Sequence, residues 1–247
     1  MTHQLFFGER TAIASAVVGS SLLLEGDEGR HAASVVRLRA GERYFVADGF
    51  GRRALLEATD VERTWVRGRV LAVTDEPESA PRLVLVQALA KGDRDEQAIE
   101  AATELGVDEV VPWQAERSVV VWRGDRAAKS RAKWDAVVAR ATKQSRRARM
   151  PLTSPAVGLA SLVARVGEAS LTLVLHEDAT EPLASVDLPA SGDVLVVVGP
   201  EGGITDREVD ALTSAGARPV RLGSTILRAS SAGPAALAIL SARSRWR

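Results

Sequence analysis

The stretch that most restricts how this chain can fold is residues 193–204, DVLVVVGPEGGI. Its first six residues are mostly valine and leucine, which suits a short strand covered on both faces. A turn follows at Gly199, Pro200, Glu201, Gly202 and Gly203. A helix start comes next in Thr205-x-x-Glu208, the spacing of a capping box, with Ile204 and Val209 placed to close as a hydrophobic staple. Open α/β sheets are built from such strand–loop–helix units and take their ligands at the carboxyl ends of their strands. Glycines in that loop allow positive φ and a close approach of backbone to ligand. No G-x-G-x-x-G and no Gly-Lys-Ser/Thr occurs there, so it is neither a dinucleotide fingerprint nor a P-loop. Alone, it is equally a plain strand-to-helix connection.

The flanking chain supplies the alternation that this unit needs. Apolar runs predict strands over 83–89, 107–113, 171–175, 194–198 and 218–222. Helices are expected over 93–105, 126–147, 205–214 and 231–242. Asp93 and Glu96 have capping spacing, and Gly106 reads as a helix stop. Ala132, Ala136, Val137 and Ala141 offer a small apolar stripe, and Pro234 is tolerated in a first helical turn. The fold class is therefore α/β with a mostly parallel sheet. Residues 1–73 read differently, with short apolar runs at 21–24, 43–47, 54–58 and 65–73 punctuated by glycines, as in a small barrel or sandwich. One helical piece, 28–38, places His31, Val35 and Leu38 on a common face. Residues 74–81 are acidic, carry Pro77 and Pro81, and read as a linker. Domains are expected at 1–73 and 82–247.

Composition narrows the function. At 247 residues, 46% hydrophobic and 26% charged, the chain can bury a real core. It has no cysteine, and its three histidines show no metal-binding spacing, so no metal is expected. No apolar run approaches a membrane span, and the first ten residues lack a signal-peptide pattern, so a cytoplasmic protein is expected. Net charge is zero, but its distribution is uneven. Residues 123–149 hold ten basic side chains against Asp125 and Asp135, whereas residues 74–122 hold eleven acidic against four basic. A one-signed run of this kind suits a phosphate backbone, and the plain alternative is a solvated helix face.

Three strands end in short polar or glycine loops: His176-Glu177, residues 199–203, and residues 223–228. In a parallel sheet these loops share one edge and converge on a single pocket. They offer backbone groups, which suit an adenine ring and a ribose, and two carboxylates, Glu177 and Glu201. S-adenosylmethionine, a cation with an adenosine portion, fits that set better than a nucleoside triphosphate.

Several motifs then combine in a recognisable order. They are Lys91-Gly92-Asp93-Arg94, Ala102-Thr103-Glu104-Leu105-Gly106-Val107, Glu116-Arg117-Ser118, Lys133-Trp134, Gln144-Ser145, His176-Glu177, residues 198–203 and Leu222-Gly223-x-x-Ile226-Leu227-Arg228. With His31, Val36-Arg37 and Gly41-Glu42 upstream, the chain resembles the ribosomal RNA small subunit methyltransferase E family over nearly its whole length. The resemblance implies an N-terminal PUA-like RNA-binding β-barrel, a C-terminal SPOUT domain with a trefoil knot, and a homodimer. It also implies S-adenosylmethionine as donor and N3 of one uridine in 16S ribosomal RNA as acceptor.

On that basis the catalytic candidates are Arg228 and Glu201. Cofactor candidates are Leu175, His176, Glu177, Gly199, Pro200, Glu201, Gly202, Gly203, Leu222, Gly223, Ile226 and Leu227. RNA candidates are Arg30, His31, Arg37, Lys91, Arg94, Arg146, Arg147 and Arg149. Arg228 suits anion stabilisation or orientation of the uracil, with a structural or phosphate-binding role as the alternative. No general base stands out; Glu201 and His176 are each as suited to cofactor contact. The chain departs from the family pattern at Thr225, where arginine is common, at Ser230, where glutamate is expected, and at Ser231, where threonine is. Arg146-Arg147 likewise replaces the usual Gly-Arg. Methylation at another RNA position, or an RNA-binding assembly factor without activity, stays open at this level.

Overall fold

A computed structural model describes residues 3–246. The chain divides into two compact units: one holds it up to Glu78 together with Thr142–Met150, the other holds Ser79–Ala141 and everything from Pro151 onward. The reading of 82–247 as one continuous domain does not contain that return of 142–150 to the first unit.

The first unit comprises β1 (Leu5–Phe7), α1 (Arg10–Ala14), β2 (Ser21–Leu24), α2 (Gly26–Arg30), β3 (Arg43–Ala47), β4 (Arg52–Glu62) and β5 (Trp65–Asp75). Its five-stranded sheet has the order β1-β3-β4-β5-β2, parallel only between β1 and β3. Alternation drives it: Ala54, Leu56 and Ala58 of β4 turn inward with Tyr44, Val46, Val66 and Val70. Thr74 and Asp75, expected in the linker, finish β5. The helical piece expected over 28–38 runs instead as α2 followed by a π-helical turn, His31–Val36. It ends at Arg37 with φ 61°. The wider turn breaks the 3.6-residue period, so Leu38 is buried while Val35 is 70% exposed.

The second unit comprises β6 (Arg82–Ala88), α3 (Arg94–Glu104), β7 (Glu109–Trp113), α4 (Asp125–Ser145, whose last turn belongs to the first unit), β8 (Leu152–Thr153), α5 (Leu159–Glu168), β9 (Leu171–Leu175), β10 (Asp193–Val198), α6 (Asp206–Ser214), β11 (Arg218–Val220) and α7 (Ala229–Ser244). The sheet is six-stranded and parallel throughout, in the order β11-β9-β10-β6-β7-β8. Successive residues of β6 serve opposite faces: Leu83 and Leu85 pack with Ile99, Trp134, Val137 and Leu237, whereas Val84 and Val86 pack with Leu162, Leu195 and Leu212. Both faces are covered, which is why these strands read as unbroken apolar runs.

Three local expectations need correction. The buried stripe of α4 is Trp134, Val137, Val138 and Ala141, while Ala132 and Ala136 are exposed; the larger side chains remove more apolar area from water. Asp93 does not cap α3 with its side chain, because its φ of 60° turns the carboxylate away, toward Lys133 at 3.4 Å. Pro234 lies six residues into α7, so no N–H is offered to the Ser230 carbonyl four residues back. Close packing of α7 on the sheet is enforced at Gly233, where a Cβ would lie 2.8 Å from Leu85 Cδ1.

Candidate active site

β9, β10 and β11 lie side by side and parallel, so the chain leaves all three at one edge. A pocket of about 670 Å³ opens there. It is lined from β9 by Leu175, His176, Glu177 and Asp178, from β10 by residues 198–204, and from β11 by residues 220–229. Every cofactor candidate and both catalytic candidates, Arg228 and Glu201, lie on its wall. So do Arg94, Arg117, Asp206, Arg221, Ser224 and Thr225.

The β10 wall is shaped by what its glycines exclude. At Gly199 a Cβ would sit 2.6 Å from Ile204 Cγ1, and at Gly202 it would press on Arg117 Cβ at 3.1 Å. Gly203 has φ 77° and closes a turn through its N–H, which donates to the Pro200 carbonyl at 2.9 Å. α6 then begins with the full capping box: Thr205 N–H donates to Glu208 Oε2 at 3.0 Å, and Glu208 N–H donates to Thr205 Oγ1 at 3.3 Å. Ile204 and Val209 pack in one apolar cluster beneath it.

Glu208 has a second task. Its side chain is fully buried, and Oε1 accepts the Glu116 N–H at 2.8 Å. The Thr205 hydroxyl reaches both Glu116 Oε2 at 3.0 Å and Glu208 Oε2 at 2.9 Å. The adjacent Arg117 donates from Nη1 to the Gly202 carbonyl at 2.9 Å. On the other side, Arg94 Nη1 donates to Glu201 Oε1 at 2.8 Å, and the Lys91 N–H reaches the same oxygen at 3.2 Å. The loop is thus held from two flanking segments by charge-assisted hydrogen bonds. Burial opposes ionisation of Glu201, but its own N–H, the Arg94 guanidinium and the Lys91 N–H outweigh it and hold the carboxyl below its ordinary value. Arg117 and Glu208 escaped the sequence reading as holders of this loop. Glu116-Arg117 was visible as a motif and Glu208 as a cap, but neither spacing shows a contact with a segment some ninety residues away.

The β11 wall is built otherwise. The Asp178 N–H donates to His176 Nδ1 at 3.3 Å, and the His176 N–H donates to the Val220 carbonyl at 3.0 Å. Arg221 is tied through its N–H to the Glu181 carbonyl at 2.9 Å. Beyond it, Ile226 is 81% exposed, Arg228 is exposed as the residue before α7, and a Cβ at Gly223 would meet nothing within 4 Å.

The RNA candidates scatter. Arg30, His31 and Arg37 lie in the first unit, where Arg30 pairs with Asp27 and His31 packs edge-on to Phe6 at 5.8 Å between centroids. Arg94 pairs with Glu201, whereas Lys91 gives Glu201 only its backbone N–H and is itself exposed. Arg149 is drawn inward: Nη2 donates to the Glu76 carbonyl at 3.0 Å and Nη1 pairs with Glu78 at 3.6 Å. Arg146 and Arg147 line a separate recess of the first unit. Much of the basic run is matched internally. Lys133 pairs with Glu96 at 2.5 Å, Arg140 with Glu100 at 3.6 Å and Lys143 with Glu28 at 2.7 Å. The charge asymmetry between 74–122 and 123–149 therefore reflects in part the pairing of α3 with α4, and only its remainder is open to a polyanion. Among the described residues no helix is long and apolar enough to cross a membrane.

A parallel α/β sheet with a glycine-walled pocket at its carboxyl edge is matched by known proteins. Residues 77–241 fit the family described as an RNA methyltransferase domain, which sets the class. Ribosomal RNA small subunit methyltransferase E of Mycobacterium bovis is 45% identical over 233 residues, covering 92% of this chain and 89% of that protein. The Bacillus subtilis protein of the same name is 30% identical over 226 residues, covering 88% of each. The structure of ribosomal RNA small subunit methyltransferase E from Neisseria gonorrhoeae bound to S-adenosyl methionine matches with a TM-score of 0.85 at 28% identity, over 98% of both chains. The chain belongs to the ribosomal RNA small subunit methyltransferase E family.

Proposed function

We propose that this protein transfers the methyl group of S-adenosylmethionine to N3 of one uridine in 16S ribosomal RNA. The observation that carries the reading is the pocket of about 670 Å³ walled by the 199–204 loop, in a chain of this family. Its chemistry fits the donor. Glycines at 199, 202 and 203 bring the loop backbone itself to the wall, so backbone groups are among what an adenosine meets. Glu177, Asp178 and Glu201 supply carboxylates for ribose hydroxyls and for a cation. When bound, the donor supplies an electrophilic methyl group.

The protein's own residues then do three things. The 199–208 loop and the start of β11's exit segment fix the donor, so that alignment for in-line displacement is paid before reaction. Arg228, on the opposite wall, steadies the negative charge spread over O2 and O4 as uridine N3 loses its proton. Glu201 braces the loop and offsets the donor's charge; a carboxylate held below its ordinary value is a weak proton acceptor. His176, with Nδ1 engaged by the Asp178 N–H, presents Nε2 as its other nitrogen.

The first unit serves as a PUA-like RNA-binding barrel, with Arg30, His31, Arg37, Arg146 and Arg147 as its contacts. The second is a SPOUT domain whose C-terminal segment is knotted. In support, β11 is an edge strand, whereas α7, reached through residues 221–228, packs on β6 and β10 across the sheet. The working form is a cytoplasmic homodimer that acts on the small ribosomal subunit. Calorimetry with S-adenosylmethionine, joined to mass mapping of 16S ribosomal RNA from a deletion strain, tests the whole. Micromolar binding and loss of one N3-methyluridine are expected. No binding heat and an unchanged map would overturn it, and a lost ribose methyl would redirect it to another acceptor.

A further inference from the structure

Helix α4 ends in a conformation that its sequence makes costly. The Arg147 N–H donates to the Thr142 carbonyl at 3.1 Å, and the Arg146 N–H donates to the Lys143 carbonyl at 3.2 Å. This is a Schellman ending, and Arg146 occupies its left-handed position with φ 57°. Glycine is the usual residue there, because a Cβ crowds the following carbonyl. A strained non-glycine residue persists only where its surroundings hold it, and such residues concentrate at functional sites. Here the holding contact is visible: Arg53 Nη1 donates to the Arg146 carbonyl at 3.2 Å.

The side chain so placed lines a recess of about 500 Å³ together with Arg53 and Arg147. Two acidic residues share the rim, Asp75 and Glu76. Asp75 is already bound by Arg52 Nη1, at 2.7 and 3.0 Å to its two oxygens. The carbonyls at the negative end of α4 are not bare, since those of Thr142, Lys143 and Arg146 all accept hydrogen bonds. Elsewhere in the same basic run Lys133, Arg140, Lys143 and Arg149 have carboxylate partners. Among the described residues Arg146 has no ion pair.

We propose that this recess is a subsite for a phosphodiester of the RNA backbone, and that Arg146 holds its strained position to serve it. Guanidinium groups bind phosphate through paired, charge-assisted hydrogen bonds, and a cluster of three suits a polyanion better than a single small acid. The proposal rests on the RNA methyltransferase reading above. The test uses the full chain and a small-subunit ribosomal RNA fragment, titrated across a range of KCl, with thermal melting alongside. Arg146→Gly should raise the melting temperature by about 1–4 °C, because the strain is released. It should weaken RNA binding about five- to tenfold at low salt and flatten the slope of log affinity against log salt by about 0.7–0.9. Arg146→Lys should retain most of that slope, and neither variant should change affinity for S-adenosylmethionine. Unaltered RNA affinity and slope in Arg146→Gly would overturn the subsite, as would a lower melting temperature, which would remove the strain. A wild-type protein that neither binds nor methylates the fragment would instead count against the function itself.

Discussion

The two walls of the pocket are made in opposite ways. The wall after β10 is fastened along its length: Glu201 by Arg94 and the Lys91 N–H, Gly202 by Arg117, and Thr205 and Glu208 by each other and by Glu116. The wall after β11 is fastened only at its ends, through Arg221 and through the first turn of α7, where the Ser231 and Ala232 N–H groups reach the Arg228 carbonyl. Among the described residues, 223–227 make no hydrogen bond. A wall of backbone held along its length by charged side chains, with the buried Glu208 at its end, is suited to binding the same donor in every cycle. A wall that exposes Ile226 and Arg228 is suited to a partner that arrives and leaves. The first wall should therefore dominate donor affinity, and the exposed end of the second, at Arg228, the chemistry on RNA.

Arg228→Ala breaks that division most sharply if it fails. Loss of one preorganised donor to a developing anion typically costs about 10²–10³-fold in turnover. Turnover of the ribosomal RNA substrate should fall by that order, while calorimetric affinity for S-adenosylmethionine stays within about twofold. A parallel loss of donor binding would show that Arg228 shapes the pocket rather than acting on the substrate.

The converse prediction concerns Glu208. Glu208→Ala strips acceptors from the part-buried Glu116 and Thr205 N–H groups and breaks the Glu208 half of the capping box of α6, for a cost of about 2–3 kcal/mol. The melting temperature should drop by roughly 4–12 °C, and donor affinity should fall with it, since Arg117 is carried on the segment that Glu208 anchors. Turnover at saturating donor should change far less than in Arg228→Ala. Full donor affinity in a destabilised Glu208→Ala protein would mean the wall keeps its shape without its anchor.

What was legible in the sequence follows the same division. The 199–203 turn, its capping box and its staple are local patterns, with every partner within six residues, and all of them are present in the structure. The parallel sheet was legible because strands covered on both faces leave unbroken apolar runs. The fastening of the wall was not, because Arg117 and Gly202 lie 85 residues apart and Glu116 and Glu208 lie 92 apart. Nor was the pairing of Glu96 and Glu100 with Lys133 and Arg140, which turned an apparent polyanion footprint into partly internal neutralisation. Four elements, β1, α1, β8 and α5, escaped altogether. β8 is two residues long, and α5 buries only Leu162 and Val166 on its inner face, too brief a stripe to stand out.

The smallest predicted effect decides between two roles for Glu201. Its folded carboxyl lies below the ordinary value of 4.5, so whatever the Arg94–Glu201 pair contributes is fully present above that pH and is lost as pH falls below it. The Arg94 side chain is 42% exposed and that of Glu201 31%, so solvent screens the pair, and less than about 1 kcal/mol is at stake. Glu201→Gln should therefore weaken donor affinity only about two- to fivefold between pH 6 and 8. That gap from wild type should close as pH is taken below 4.5. Turnover at saturating donor should keep its pH profile, because a carboxylate with a lowered pKa is not the group that takes the uridine proton. If Glu201→Gln instead abolished turnover and removed the acidic limb of the profile, the fastened wall would be catalytic as well, and the separation of the two walls would fail.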